Sequence, residues 1–401
     1  MEKAMKSCIA VPEILLPRAG TDMHAWAVIA CDQHTSDSAY WSELEKTVGE
    51  KPSTLRLTLP EIYLDKADCA ERIGNIAKTM REYRNGGVFR KLPKGFVLVR
   101  RKTPYSPVRT GIVLAVDLEE YSYEKQSNAS IRATEATILE RIPPRLKIRE
   151  CAELEFPHIM LLYDDPQDVV LGELKGRTDL ETLYDFELNM GGGHVCGQFV
   201  SKYEEVIRRF ESLKKDGLLF MVGDGNHSLA SAKALWEKIK ADLPASEQET
   251  HLARYALCEA VNLYDEGIRF EAIHRLVKGV DTADFIKSFS GTGKGNGAFY
   301  VSGKKQSISL PEEAADAVRA VDSYIMEYVS KKGGSVDYIH GEQALAQLTR
   351  ENPDYVGISL PKMDKGELFG QVQRFGSLPR KTFSMGESEE KRYYIEGKEI
   401  R

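Results

Sequence analysis

The stretch LLFMVGDGNHSLASAKALWEKIK, residues 218–240, constrains the fold more tightly than any other part of the chain. The apolar residues at 218–222 read as a buried strand. Gly223-Asp224-Gly225 then predicts a tight turn, because glycines accept backbone conformations that side chains forbid. Leu229, Ala232, Leu235, Trp236 and Ile239 recur at helical spacing, with Asn226 and Ser228 as candidate N-caps. The first backbone N–H groups of such a helix have no partner within it, and the helix dipole adds partial positive charge, so a phosphate is stabilised there. Asp224 adds a carboxylate for Mg²⁺ or for a proton, and His227 a titratable donor. The alternative is an ordinary strand–turn–helix in which Asp224 braces the turn. The spacing is neither a Walker A loop nor a GxGxxG fingerprint.

A second chemistry-bearing segment is SIRATEATILERIPPRLKIRE, residues 130–150, with Arg132, Arg141, Arg145 and Arg149 set among Glu135 and Glu140. A helix starting near Thr134 puts Arg132 and Glu135 on one face, and Pro143-Pro144 is expected to break it. Arginine presents a planar fork of donors suited to phosphate, and a carboxylate among arginines can orient a hydroxyl or act as a base. A solvated charged helix is the alternative.

Other candidates follow the ends of short apolar runs, where α/β proteins place chemistry. Residues 26–30 lead to Cys31, Asp32 and His34, with Ser36 or Asp37 able to cap the next helix. Residues 53–64 continue with LRLTLPEIYL, and an amphipathic helix over 66–85 closes at Asn85-Gly86-Gly87. The strand 159–163 follows His158, read as a hydrogen-bonded core histidine, and ends in Asp164-Asp165, read as a turn opener. Gly191-Gly192-Gly193 precedes His194 and Cys196 and reads as a flexible loop. A strand at 270–277 carries His274 and Arg275 on opposite sides. Near the end, Arg380 and Lys381 in LPRKTFSMG offer two cations for an anion, and 391–395 reads as a structural strand.

Composition narrows the function classes. With 401 residues, 42% hydrophobic and 29% charged, the chain can bury a sizeable core in about two or three domains. A net charge of -6 argues against nucleic acid held by bulk electrostatics. Six cysteines without CxxC or zinc-finger spacing read as reduced thiols of a cytoplasmic protein. No apolar run approaches the roughly 18 residues of a membrane span.

The segments IRATEATILERIPPRLKIRE, ELEFPHIMLLYDDP, GDGNHSLASAKAL, RYALCEAVNLYDEGIRFEAIHRLV and LPRKTFSMG resemble a bacterial family, domain-of-unknown-function family 1015. More distantly, Gly223-Asp224-Gly225-Asn226-His227-Ser228 is similar to the DGHHR-type loop of ParB-like proteins, which include archaeal free-serine kinases. The resemblance implies a ParB/sulfiredoxin-like fold and a loop that holds nucleotide phosphates, with Ser228 standing where the kinase loop carries Arg. It also carries over His274 and Arg275 as site elements.

The expected fold is therefore mixed α/β: a ParB/sulfiredoxin-like domain over 1–277 and a smaller α+β region over 278–401. The expected function is nucleotide-dependent transfer of phosphate to a small hydroxylated metabolite. Glu135, Asp224 and His227 are the catalytic candidates, with Asp224 also the Mg²⁺ ligand. Arg132, Arg145, Gly223, Gly225, Asn226, Ser228, His274, Arg275, Arg380 and Lys381 are the candidates for the nucleoside di- or triphosphate. Asp32 and His34 stand beside them. The partner is a small-molecule substrate, without nucleic acid or membrane, and a homodimer is compatible with the sequence. The alternative function is a non-catalytic nucleotide or phosphometabolite sensor. Hydrolysis by a Cys31 or Cys196 nucleophile is a third reading.

Overall fold

In a computed structural model describing residues 7–35 and 37–401, the central strands are buried on both faces. Along Phe96–Lys102, Phe96 and Leu98 enter one core while Val97 and Val99 enter another. Strand Arg109–Asp117 is buried at every position. Such continuous apolar runs belong to a sheet covered on both sides. Ser36, one of the two expected caps, lies outside the described residues; Asp37 caps the helix Ser38–Val48 by accepting the Tyr40 N–H at 3.0 Å.

The chain forms two compact units, Met1–Ile268 with Glu387–Arg401, and Arg269–Gly386. These bounds differ from the division expected at 277. Strand Phe270–Lys278 is hydrogen-bonded along its length to strands of the second unit, and the C-terminal residues pair within the first.

The first unit is built on a ten-stranded mixed sheet. From one edge its order is Thr182–Glu187, His194–Val200, Phe96–Lys102, Arg109–Asp117, Tyr255–Asn262, Met160–Tyr163, Phe220–Asp224, Ile131–Ala133 and Tyr121–Ser122, with Ile9–Ala10 paired to Arg109–Asp117. Helices Tyr203–Ser212 and Asn226–Lys240 send Val206, Phe210, Leu229, Ala232 and Trp236 into the core on one face. Helix Ser38–Val48 covers the other with Trp41, Leu44 and Val48. Helix Cys69–Asn85 packs in a third cluster around Trp26 and Phe156. Residues 53–64 form the 3-10 turns Thr54–Arg56 and Glu61–Tyr63, the first capped by the Ser53 hydroxyl.

The second unit holds a six-stranded antiparallel sheet, ordered Lys304–Leu310, Gly295–Val301, Val356–Ser359, Phe270–Lys278 and Ser335–His340, with Phe383–Met385 paired to Phe270–Lys278. Helix Ala314–Lys332 packs against Val277, Phe299 and Ile358. Helix Glu342–Glu351 packs through Leu345 against Leu276, Ala298 and Tyr300, which alternate onto the opposite face. No helix among the described residues is long and apolar enough to cross a membrane.

Candidate functional site

Strand Phe220–Asp224 and helix Asn226–Lys240 meet as the sequence predicts, but the joint is made by glycine rather than by a side-chain cap. Gly225 is the N-cap residue, with φ 78°, in the left-handed region that glycine enters without strain. A β-carbon there would also meet the Ile159 backbone at 3.0 Å. Asn226 and Ser228, expected as caps, lie inside the first helical turn, and the Asp224 carboxylate accepts the Gly225 N–H at 2.9 Å.

The segment 130–150 does not form a helix broken at Pro143-Pro144. Residues Ile131–Ala133 are a strand, parallel to Phe220–Asp224 and paired Arg132 to Met221. The helix is Ile142–Cys151, with the prolines in its first turn. Proline suits that place because its missing N–H has no helical partner there in any case. Arg132 and Glu135 therefore share no helical face. Arg132 pairs three residues before Asp224, roughly 10 Å along the strand. Its Nε donates to the Ala129 carbonyl, away from the loop. Residues 134–138 instead cross the Asp224 turn: Thr134 Oγ1 donates to the Val222 carbonyl at 2.7 Å, and the Ile138 N–H donates to His227 Nε2 at 3.3 Å. Glu135 lies between these two ties.

The end of the sheet carrying Asp224 gathers charge from five distant segments. Met160 pairs with Asp224 across antiparallel strands, so His158 enters at the same end. The His158 side chain is only 4% exposed, and its Nε2 stands 3.5 Å from Asp32 Oδ2. The contact is a long ion pair rather than a well-formed hydrogen bond. On the other side of the ring, Nδ1 shares a 3.0 Å hydrogen bond with the Tyr394 hydroxyl, which accepts the Cys31 N–H at 2.9 Å. Lys391 Nζ is 3.1 Å from Asp224 Oδ2. Glu61, whose N–H donates to the Cys31 carbonyl at 2.8 Å, pairs with Arg145.

These groups set one another's protonation. Burial works against charge on Asp32, but the facing His158, with Lys391 beyond, lowers its pKa overall. Burial would depress His158, and the Asp32 carboxylate, with Asp224 and Glu61, raises it above the ordinary 6.5. Lys391 behaves likewise: burial pulls its pKa down, and Asp224 and Asp32 outweigh it upward. For Glu61 burial prevails over Arg145, and the pKa rises. Mutual attraction thus favours the charged forms of Asp32, His158 and Lys391 in partly dry surroundings, and Glu61 is the exception.

The structure thus brings Asp32, Arg145, Asp224, Asn226 and His227 to one end of the first unit, with Glu135 on the crossing loop. His34 sits beside Asp32 but its ring stacks flat on Tyr40, with centroids 3.7 Å apart. His274, Arg275, Arg380 and Lys381 belong to the second unit. There Arg275, expected at a phosphate, is buried and forked onto Asp322 at 2.7 and 2.8 Å, so its donors are committed. His274 is also buried and accepts the Leu360 N–H at 3.2 Å. Arg380 and Lys381 are exposed, the latter with φ 56°. The thiols are poor nucleophiles: burial pushes Cys31 up to about 12 and also raises Cys196, against the low pKa a reactive thiolate needs. Asp165 accepts the Val170 N–H at 2.9 Å as a turn residue. Among the described residues no three His, Cys, Asp or Glu side chains gather for a metal.

Sequence reasoning missed Lys391, Tyr394 and Glu61; His158 is the buried, hydrogen-bonded histidine expected, and it also faces Asp32. One signal was available. Lys391-Arg392 opens an otherwise apolar strand, and charge inside such a run calls for buried partners.

Comparison with known proteins adds the family and little beyond it. No curated protein matches the chain significantly. Similar solved structures include a conserved hypothetical protein from Pyrococcus furiosus, with TM-score 0.36, 13% identity, and coverage of 75% of this chain and 97% of that one. They also include a free serine kinase in complex with AMP, with TM-score 0.40, 11% identity, and coverage of 76% and 94%. A third is SbnI with C-terminal truncation from Staphylococcus aureus, with TM-score 0.37, 11% identity, and coverage of 68% and 82%. Residues 15–369 match the model of one family across most of the chain, and the protein belongs to that family, described as protein of unknown function (DUF1015).

Proposed function

We propose that the first unit binds a nucleoside di- or triphosphate at the start of helix Asn226–Lys240 and transfers phosphate to a hydroxyl of a small metabolite. One observation carries the reading: Lys391 and Asp224 form a 3.1 Å ion pair at a glycine-made helix start. An array of opposed charges surrounds it that packing alone does not require. The backbone N–H groups of the first helical turn and Asn226 and His227 would take the phosphates. Arg145 would add neutralising charge. The similarity of the 223–228 loop to ParB-like loops points the same way, and with it we extend the ParB/sulfiredoxin-like label to the core of the first unit.

Asp224 fits Mg²⁺ that arrives with a nucleotide, because Mg²⁺ is usually held by one or two carboxylates and phosphate oxygens rather than by an all-protein cage. Bound there, the ion would neutralise phosphate charge. Glu135, tied across the turn, would accept the acceptor's hydroxyl proton as the new P–O bond forms and the bond to the nucleotide's bridging oxygen breaks. Such transfer needs positioning and charge more than a covalent nucleophile. The cytoplasm stays our assigned compartment, on cysteine spacing.

The test is a thermal-shift screen against ATP, ADP, CTP and GTP with Mg²⁺, followed by an acceptor screen. A nucleotide at about 100 times its dissociation constant should stabilise by roughly 2.7 kcal/mol. A shift lost in Asp224→Asn supports the site, and no shift with any nucleotide ends the reading. Glu135→Gln then separates transfer from sensing: turnover falls in an enzyme, whereas a sensor keeps its affinity.

A further inference from the structure

The family match ends at residue 369, yet the segment Glu387–Arg401 delivers a cation to the site. Lys391 is fixed there by its neighbour. Arg392 is buried and donates Nε to Glu259 at 2.7 Å, Nη2 to Glu396 at 2.6 Å and Nη1 to the Pro157 carbonyl at 2.8 Å. Pro157 directly precedes His158, so one guanidinium ties the C-terminal segment to the strand entering the site. The Lys391 side chain keeps 19% exposure and its ammonium faces both Asp224 and Asp32. Asn226 Oδ1, in the same region, is buried and has no hydrogen-bond partner among the described residues. The Lys391–Asp224 ion pair does not account for it.

Resting on the nucleotide reading, we infer that Lys391 is a phosphate-binding residue that contacts the terminal phosphate of the nucleotide. The charge balance favours such a group. A triphosphate approaching Asp224 alone meets a carboxylate, whereas Lys391 cancels that charge and leaves an ammonium, a compact point charge, for phosphate oxygens. An AMP-sized ligand lacks the terminal phosphates and does not gain from it.

Isothermal titration of MgATP, AMP and, in EDTA, sodium tripolyphosphate into wild type, Lys391→Met and Lys391→Arg tests the inference. The expected result is a loss of about tenfold or more in MgATP and tripolyphosphate affinity in Lys391→Met, recovery of most of it in Lys391→Arg, and unchanged AMP affinity. Equal affinities in wild type and Lys391→Met overturn the inference and leave the nucleotide reading standing. A wild type that binds no probe overturns both. Lys391→Met strips Asp224 of its partner; if it fails to fold, Asp224→Asn/Lys391→Met is compared with Asp224→Asn. Lower tripolyphosphate affinity in the double variant then supports the inference, and equal affinity overturns it.

Discussion

Tyr394 and His158, 236 positions apart, meet through a 3.0 Å hydrogen bond between the phenol oxygen and Nδ1. The same oxygen accepts the Cys31 N–H, so one hydroxyl joins the strand entering the site, the loop that carries Asp32 and the C-terminal segment. Tyr394→Phe keeps the ring and removes only this junction, leaving a buried N–H without its acceptor. Such an orphaned group costs about 1–3 kcal/mol. The unfolding free energy should fall by that amount, seen as a lower urea midpoint with an unchanged slope, which separates lost stability from a changed unfolded state.

The Asp32–His158 pair should shape stability against pH. The raised His158 pKa contributes stability that is complete below its ordinary 6.5 and is lost as pH rises through the folded value. The lowered Asp32 pKa contributes stability that is complete above its ordinary 3.8 and is lost as pH falls through the folded value. Both contributions are whole between 3.8 and 6.5. Denaturation of wild type and Asp32→Asn from pH 4 to 9 should show the gap between them narrowing as the solution turns alkaline. A gap constant across that range would mean that the pair is not coupled.

Gly225→Ala should damage the site more than its size suggests. An ordinary residue in the left-handed region costs about 1–2 kcal/mol, and the new methyl group meets the Ile159 backbone. We expect the helix start to shift, nucleotide-induced stabilisation to vanish, and the melting temperature to drop modestly. Gly191→Ala, also at positive φ but with nothing within 4 Å of the added carbon, controls for strain alone.

How much of this was legible in the sequence depends on the range of the cause. The strand, turn and helix at 218–240 are readable because a continuous apolar run, glycine and 3.6-residue spacing act within a few residues. The prolines at 143 and 144 were misread because proline both ends and begins helices, and the direction depends on what precedes it. The site is legible only in part. Asp32 and Asp224 stand out as polar groups after apolar runs, and Arg145 as one of a cluster of arginines. Lys391, Tyr394, His158 and Glu61 reach them across sheet register and buried ion pairs that no local spacing encodes.

Cys31 lies in the site, yet its thiol should be quiet. With a pKa pushed to about 12 by burial and by Asp32, almost none is thiolate at pH 8. Iodoacetamide on the native protein should label the exposed Cys151 well before Cys31, as peptide mass mapping would show. Rapid labelling of Cys31 would reopen the reading of a cysteine nucleophile.

Arg392 offers the sharpest separation between holding the fold and holding the site. It faces Glu259 and Glu396, whose side chains are 2% and 0% exposed, and satisfies both with forked donors. Arg392→Met removes the positive charge and leaves two buried carboxylates against each other, a change that costs about 3–5 kcal/mol where a buried pair loses one partner. The thermal midpoint should fall accordingly. Arg392→Lys keeps the charge but presents an ammonium where a planar fork reached two carboxylates and a carbonyl. It should therefore recover part of the stability while leaving residues 391–394 less well fixed. If the C-terminal segment serves only the fold, nucleotide affinity in Arg392→Lys will match wild type once the protein is folded. If Arg392 also aims its neighbour at the phosphate, affinity will stay reduced under conditions where circular dichroism shows a fully folded chain.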